Sequence, residues 1–215
     1  MLATAPNAEQ RVLLQNVSWQ LFESLLTEMG ESRSTRLAYD RGNLEFMTPL
    51  FEHEEGKRNI ECLIDALLDE LGLDRRLAGS TTLKRPRSKA GKEPDSCYYI
   101  QNEARIRGKT NIDLETDPPP DLAVEIDITS SSIDKLSLYA ALGVPELWRY
   151  DGTQMAFYQL QEEKYISRDR SVTFQFLPPT RVDEYLQECR SLGVMAALRQ
   201  FRTWIRENRE IPPQG

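Results

Sequence analysis

Three carboxylates share one side of a short alternating stretch. Between Asp121 and Ile128, the residues Leu122, Val124, Ile126 and Ile128 fall on one face, while Asp121, Ala123, Glu125 and Asp127 fall on the other. A strand repeats every two residues, so the acids line one face of a single strand. Like charges at that spacing repel, and no basic residue stands between them. A divalent cation relieves such a row, and hard oxygen ligands suit Mg²⁺ or Mn²⁺. Asp95 offers a further ligand: it follows Pro94 and precedes Ser96–Gln101, which reads as a second strand. If the two strands pair, Asp95 and Glu125 reach one cation, the arrangement that metal-assisted phosphodiester hydrolysis needs. The competing reading has Asp95 capping a turn and Glu125 facing solvent.

The elements around these acids are legible. After the alternating stretch, Thr129-Ser130-Ser131-Ser132 reads as a turn, with a serine N-cap near Ser131 or Ser132 for a short helix that carries Lys135. Leu136, Tyr139, Ala140 and Leu142 give that helix an apolar side, and Gly143 ends it. Glu146–Tyr150 is the next strand, and Tyr139, Trp148 and Tyr150 read as core. Upstream, Arg11–Gln15 suggests an edge strand. Ser18 is placed to cap a helix that runs to Met29. Arg41-Gly42 sits between Arg36–Asp40 and Asn43–Met47 as a hairpin turn. Glu52–Leu71 has strong helical periodicity through Ile60, Leu63, Ile64, Leu67, Leu68 and Leu71. Arg76–Arg85 reads as a threonine-rich strand, and Asn102–Pro120 as a polar connector. Beyond Gly152 the pattern predicts a hairpin, Met155–Leu160 with Lys164–Arg168, then helices over Val182–Leu192 and Val194–Asn208. Met195, Leu198, Phe201, Trp204 and Ile205 make an apolar stripe on the last helix. The stripe must cover the domain or meet its own copy, and a homodimer is the expectation.

The motif PDLAVEI, the helix with Lys135 and Tyr139, and GVPELWRYD together resemble the Uma-two family of the PD-(D/E)XK restriction-endonuclease-like superfamily. The resemblance returns at Gly42–His53 and at Gly79–Tyr98, so it spans residues 35–160. It implies an α/β (α+β) fold, a mixed central sheet flanked by helices. Residues 1–180 would form that domain and 181–215 a helical extension packed on it. It implies a Mg²⁺- or Mn²⁺-dependent endonuclease acting on DNA, with Asp95 at the PD position and Glu125 at the acid position. The superfamily lysine two residues after the acid is Asp127 here. Lys135 would then supply that cation, and Asp127 an extra ligand unless the site has lost activity. His53, the sole histidine, matches one common at that place in the family and would hold a water or touch phosphate. Glu61, on the same helix, would be a further ligand. The alternative is a non-catalytic module on the same fold that binds nucleic acid or protein, or a structural dimer.

Lys84, Arg85, Arg87, Lys89 and Lys92 crowd one Pro- and Gly-containing stretch just before Asp95. Beside a metal they would clamp a phosphate backbone; the bland reading is a solvated loop balancing an acidic protein. Balance is needed, because the 215 residues carry a net charge of −7 with a pI near 5.0. That charge argues against coating by nucleic acid. Cys62, Cys97 and Cys189 form no C-x-x-C pair, which points to a reduced compartment without a zinc site. No apolar run approaches the ~20 residues that span a bilayer, and the first residues lack a basic then apolar leader, so a cytoplasmic location is expected. No P-loop, H-E-x-x-H, G-x-G-x-x-G or G-x-S-x-G motif is present.

Overall fold

A computed structural model describes residues 10–30, 35–79, 81–128 and 133–209. The chain folds into two sheets and six α-helices among these residues. One sheet is antiparallel, in the order β1 (Gln10–Leu14), β3 (Asn43–Thr48), β2 (Arg36–Asp40), β6 (Ala90–Lys92), β5 (Leu83–Arg85). The other is mixed, in the order β11 (Lys164–Arg168), β10 (Met155–Gln161), β9 (Glu146–Tyr150), β8 (Leu122–Ile126), β7 (Ser96–Tyr99), β4 (Arg76–Leu77). Its one parallel pair is β8 with β9. That pair needs a crossover connection, which α4 (Lys135–Leu142) provides.

The alternation of β8 splits its neighbours as expected. Leu122, Val124 and Ile126 enter a core shared with α2 (Phe51–Leu71), α5 (Pro179–Leu192) and α6 (Val194–Asn208). Ala123 enters a second core with Leu138, Tyr139 and Leu142 of α4. α1 (Trp19–Met29) begins as the sequence predicts, with Ser18 Oγ accepting from the Leu21 N–H at 3.1 Å. Its Phe22 lies against Gly91 of β6, where an added Cβ would fall 2.5 Å from the ring. The Arg41-Gly42 turn joins β2 and β3 as foreseen, both residues at positive φ.

Several boundaries differ. The predicted strand Arg76–Arg85 is two short strands in different sheets, β4 and β5. The basic stretch is no loop: β5 and β6 form a hairpin joined by a 3-10 turn at Pro86–Ser88. The connector contains a short helix, α3 (Glu103–Ile106). The serines expected to cap α4 lie outside the described residues. The helix starts at Lys135, capped by Asp134, whose carboxylate accepts from the Leu136 N–H at 3.1 Å. The stripe on α6 is buried within the chain: Phe201 and Ile205 pack against α2 and α5. Only Met195 of the stripe is largely exposed. The stripe therefore covers the domain, and its existence no longer calls for a second copy.

Candidate active site

β7 and β8 run antiparallel with Ser96 opposite Val124 and Cys97 opposite Ala123. One step further in that register sets Asp95 opposite Glu125, and both are fully buried. Asp95 Oδ2 accepts from the Ile126 N–H at 2.7 Å and lies 3.2 Å from His53 Nε2 at the start of α2. Its Oδ1 lies 3.1 Å from the Arg36 guanidinium, which also donates to the Pro94 carbonyl and to Glu54. Burial alone would raise the Asp95 pKa. The hydrogen bond and charge of His53, followed by the charges of Arg36 and Lys92, hold it well below the usual carboxylate range.

Glu125 gathers three donors. The Tyr139 hydroxyl donates to Oε1 at 2.5 Å, Lys92 Nζ lies 3.3 Å from the same oxygen, and Lys135 Nζ lies 2.5 Å from Oε2. Lys135 also donates to Asp127 Oδ1, while Arg149 holds Asp127 Oδ2 at 3.0 Å. Burial opposes both lysine charges. At Lys92 burial prevails and the pKa is lowered, whereas at Lys135 the attraction of Glu125 and Asp127 prevails and the pKa is raised. Lys135 is therefore a fixed cation. Burial would also raise Asp127, yet Lys135 and Arg149 draw it down. Three carboxylates (Asp95, Glu125, Asp127) thus face four cations (Arg36, Lys92, Lys135, Arg149).

Cations from other elements fold onto the acidic row and balance its charge. Of the expected residues, Asp95, Glu125, Asp127, Lys135 and His53 come together. Asp121 does not: its carboxylate accepts from the Ile100 and Asn102 N–H groups at 2.7 and 2.9 Å and fixes the turn after β7. Glu61 is bound on the surface of α2 by Arg58 at 2.9 Å, with Lys57 at 3.9 Å. The five basic residues disperse as well. Lys84 lies near Glu23, Arg87 near Glu115, and Arg85 donates to the Ala141 and Leu114 carbonyls. Lys92 turns inward to Glu125, and Lys89 stays exposed.

Three participants escaped the sequence reading: Arg36, Arg149 and Tyr139. Tyr139 follows Lys135 by four residues, a spacing that puts both on one side of a helix. Arg149 stands beside Glu125 in the parallel register of β8 and β9. Arg36 arrives from the other sheet, and nothing local marks it.

Among the described residues, no group of three or more His, Cys, Asp or Glu side chains is arranged to hold a metal ion. Both acids are engaged at every oxygen: Asp95 Oδ1 is ion-paired with Arg36 at 3.1 Å and Glu125 Oε2 with Lys135 at 2.5 Å. Mg²⁺ is commonly held by one or two carboxylates with water completing its shell, so an ion at this pair would compete with Arg36 and Lys135 for these oxygens.

A mixed sheet with an acid pair on adjacent strands is the frame expected of the restriction-endonuclease-like class, with the lysine here on the following helix in place of the strand. The chain belongs to the Uma2 family, described as "Putative restriction endonuclease", whose profile matches residues 19–209. That match reaches well beyond the stretch carrying the sequence resemblance, on both sides. Among solved structures, a protein from Anabaena variabilis described as "a putative nuclease belonging to DUF820" is similar, with a TM-score of 0.50 and 14% identity. The likeness covers 85% of this chain and 99% of that one, and at such identity it is a likeness of fold. No curated protein matches the chain. No helix among the described residues is long and apolar enough to cross a membrane.

Proposed function

We propose that this protein is a metal-dependent endonuclease that hydrolyses phosphodiester bonds in DNA, with Asp95 and Glu125 as the carboxylates that hold Mg²⁺ or Mn²⁺. The observation that carries the reading is the opposed pair Asp95 and Glu125, both buried on adjacent strands with Lys135 against Glu125. A divalent ion bound there would polarise the phosphoryl oxygen and lower the pKa of a bound water. Arg36 and His53 orient Asp95; Lys92 and Tyr139 orient Glu125. Lys135 keeps its proton, so its part is to stabilise negative charge developing on the phosphate rather than to accept a proton. Arg149 is the partly exposed cation of the group and is placed to meet substrate first.

The cation-rich balance of the cluster supports a second reading, a nuclease fold that binds without turnover. Melting with and without Mn²⁺, combined with cleavage of single- and double-stranded DNA, separates the two. Mn²⁺ at a hundredfold excess over Kd should stabilise the protein by roughly 2.7 kcal/mol. Glu125→Gln should abolish that gain and all cleavage. It should also lower metal-free stability, because Lys92 and Lys135 lose their shared counter-charge. A wild-type protein with neither Mn²⁺ stabilisation nor cleavage at millimolar metal leaves the binding module as the surviving reading.

A further inference from the structure

At the turn end of the antiparallel sheet lies an open cavity of about 670 Å³, a size typical of small-ligand sites. Three turns build it: the approach to α1, the β2–β3 turn and the β5–β6 turn. They are stapled together. The Val17 N–H donates to the Gly42 carbonyl at 2.9 Å, the Arg41 N–H to the Lys89 carbonyl at 3.0 Å, and the Tyr39 hydroxyl to the Val17 carbonyl at 2.8 Å. The cavity is thus preformed rather than a gap between mobile loops.

Its lining is unusual in two respects. Four non-glycine residues among those described adopt positive φ, and three of them, Asn16, Arg41 and Lys89, line this cavity. A tight turn is satisfied more cheaply by glycine or asparagine, yet two of these positions carry long cationic side chains. The second respect is charge. Arg41 is gripped by Asp40 through two contacts of 2.9 and 3.1 Å. Lys89 makes no ion pair or side-chain hydrogen bond among the described residues, unlike the other basic residues of its hairpin. Trp19 supplies an aromatic wall, edge-on to Tyr39 at 5.3 Å.

The position matters as much as the lining. Lys89 precedes β6 and Lys92 ends it, the first at the cavity rim and the second on Glu125. Three residue steps along the chain put them ~10 Å apart. An unstacked single strand spaces its phosphates more widely than the ~3.4 Å axial rise of one strand of B-DNA, so that distance is fewer than three phosphates.

We infer that this cavity is a nucleotide subsite of the same nuclease centre: it takes one nucleotide of a single strand within a few positions of the cleaved phosphodiester, with the phosphate on Lys89 and the base against Trp19. The inference rests on the nuclease reading and names its substrate as a strand with an unstacked nucleotide. An aromatic face and a nearby cation are what such binding requires, since every base has a stacking face and every nucleotide a charge.

The test uses the full chain in EDTA, with a short oligodeoxythymidylate and a blunt duplex of equal length as probes. Tryptophan fluorescence and the salt dependence of binding are the readouts. The single strand should change the fluorescence, and Trp19→Phe should remove that change. Lys89→Gly keeps the left-handed turn while deleting the cation. It should weaken binding of the strand and reduce the salt slope by about 0.7, the value of one lost contact. Lys89→Arg should restore both. Arg87→Ala, on the far side of the turn beside Glu115, should change neither. If the wild type cleaves DNA with Mn²⁺ while Trp19→Phe and Lys89→Gly bind the strand as it does, the inference alone is overturned. A preference for the duplex with no change in fluorescence overturns it equally. If the wild type neither binds nor cleaves, the nuclease reading falls with it.

Discussion

Replacing Lys135 with Met separates the two roles of that ammonium, internal counter-ion and catalytic cation. In the folded protein Lys135 Nζ lies 2.5 Å from Glu125 Oε2 and also pairs with Asp127. Met keeps the length and apolar stem but removes the charge. Glu125 would retain Lys92 at 3.3 Å, and Asp127 would retain Arg149 at 3.0 Å, but both carboxylates stay buried. Removing one partner from a buried ion pair costs about 3–5 kcal/mol. For a domain of this size each kcal/mol moves the melting temperature by about 2–4 °C, so the variant should melt roughly 6–20 °C lower in EDTA. Metal changes the comparison. The four cations become three against three carboxylates, and Glu125 Oε2, which Lys135 occupied, is open to a divalent ion. Lys135→Met should therefore gain more stability from Mn²⁺ than the wild type gains, and calorimetric titration should give a tighter Mn²⁺ affinity. Cleavage should fall despite the tighter metal, because the cation that stabilises the transition state is gone. Scanning calorimetry in EDTA and across Mn²⁺ concentrations measures both effects. A variant that melts with the wild type in EDTA would show that Lys135 does not neutralise these acids. A smaller Mn²⁺ gain than the wild type's would show that lysine and metal do not compete for Glu125.

Two further outcomes concern the frame around the site. Glu70 of α2 is held by Arg206 and Arg202 of α6 at 2.7 and 3.0 Å. The hydrogen bond from Arg206 leads in lowering its pKa to about 2, against some opposition from burial. A lowered folded pKa contributes stability above the unfolded value of ~4.3 and loses it as pH falls through the folded one. Glu70→Gln should therefore melt below the wild type at neutral pH, with the gap closing by about pH 2; a gap independent of pH would refute the pairing. Gly91→Ala would set a Cβ 2.5 Å from the Phe22 ring, which is buried and stacked on Tyr39. Overpacking of this kind costs about 1–3 kcal/mol, and a denaturant midpoint equal to the wild type's would mean that Phe22 moves aside freely.

Local pattern determined much of this protein. Strict alternation fixed β8 and which of its side chains face which core, since a strand has only two faces. Ser18, Arg41-Gly42 and Gly143 marked their caps and turns through backbone preferences that need no tertiary context. The order of motifs marked Asp95, Glu125 and Lys135 as one set, and the acids do stand opposite each other on neighbouring strands. Tertiary structure decided the charge state of the centre. Whether a row of carboxylates is short of cations depends on what folds against it. Arg36 comes from 59 residues before Asp95 in the chain and Arg149 from a strand that pairs only after a crossover. Lys92 and Lys89 read alike as members of one basic stretch. Only the hairpin of β5 and β6 turns the first inward to Glu125 and leaves the second at the rim of a cavity. Asp121 shares the strand face of Glu125 by sequence, but backbone N–H groups of the neighbouring turn claim it. The stripe on α6 likewise could not name its partner, because amphipathicity records that a face is covered and not by what. The faces of α2 and α5 supplied the answer.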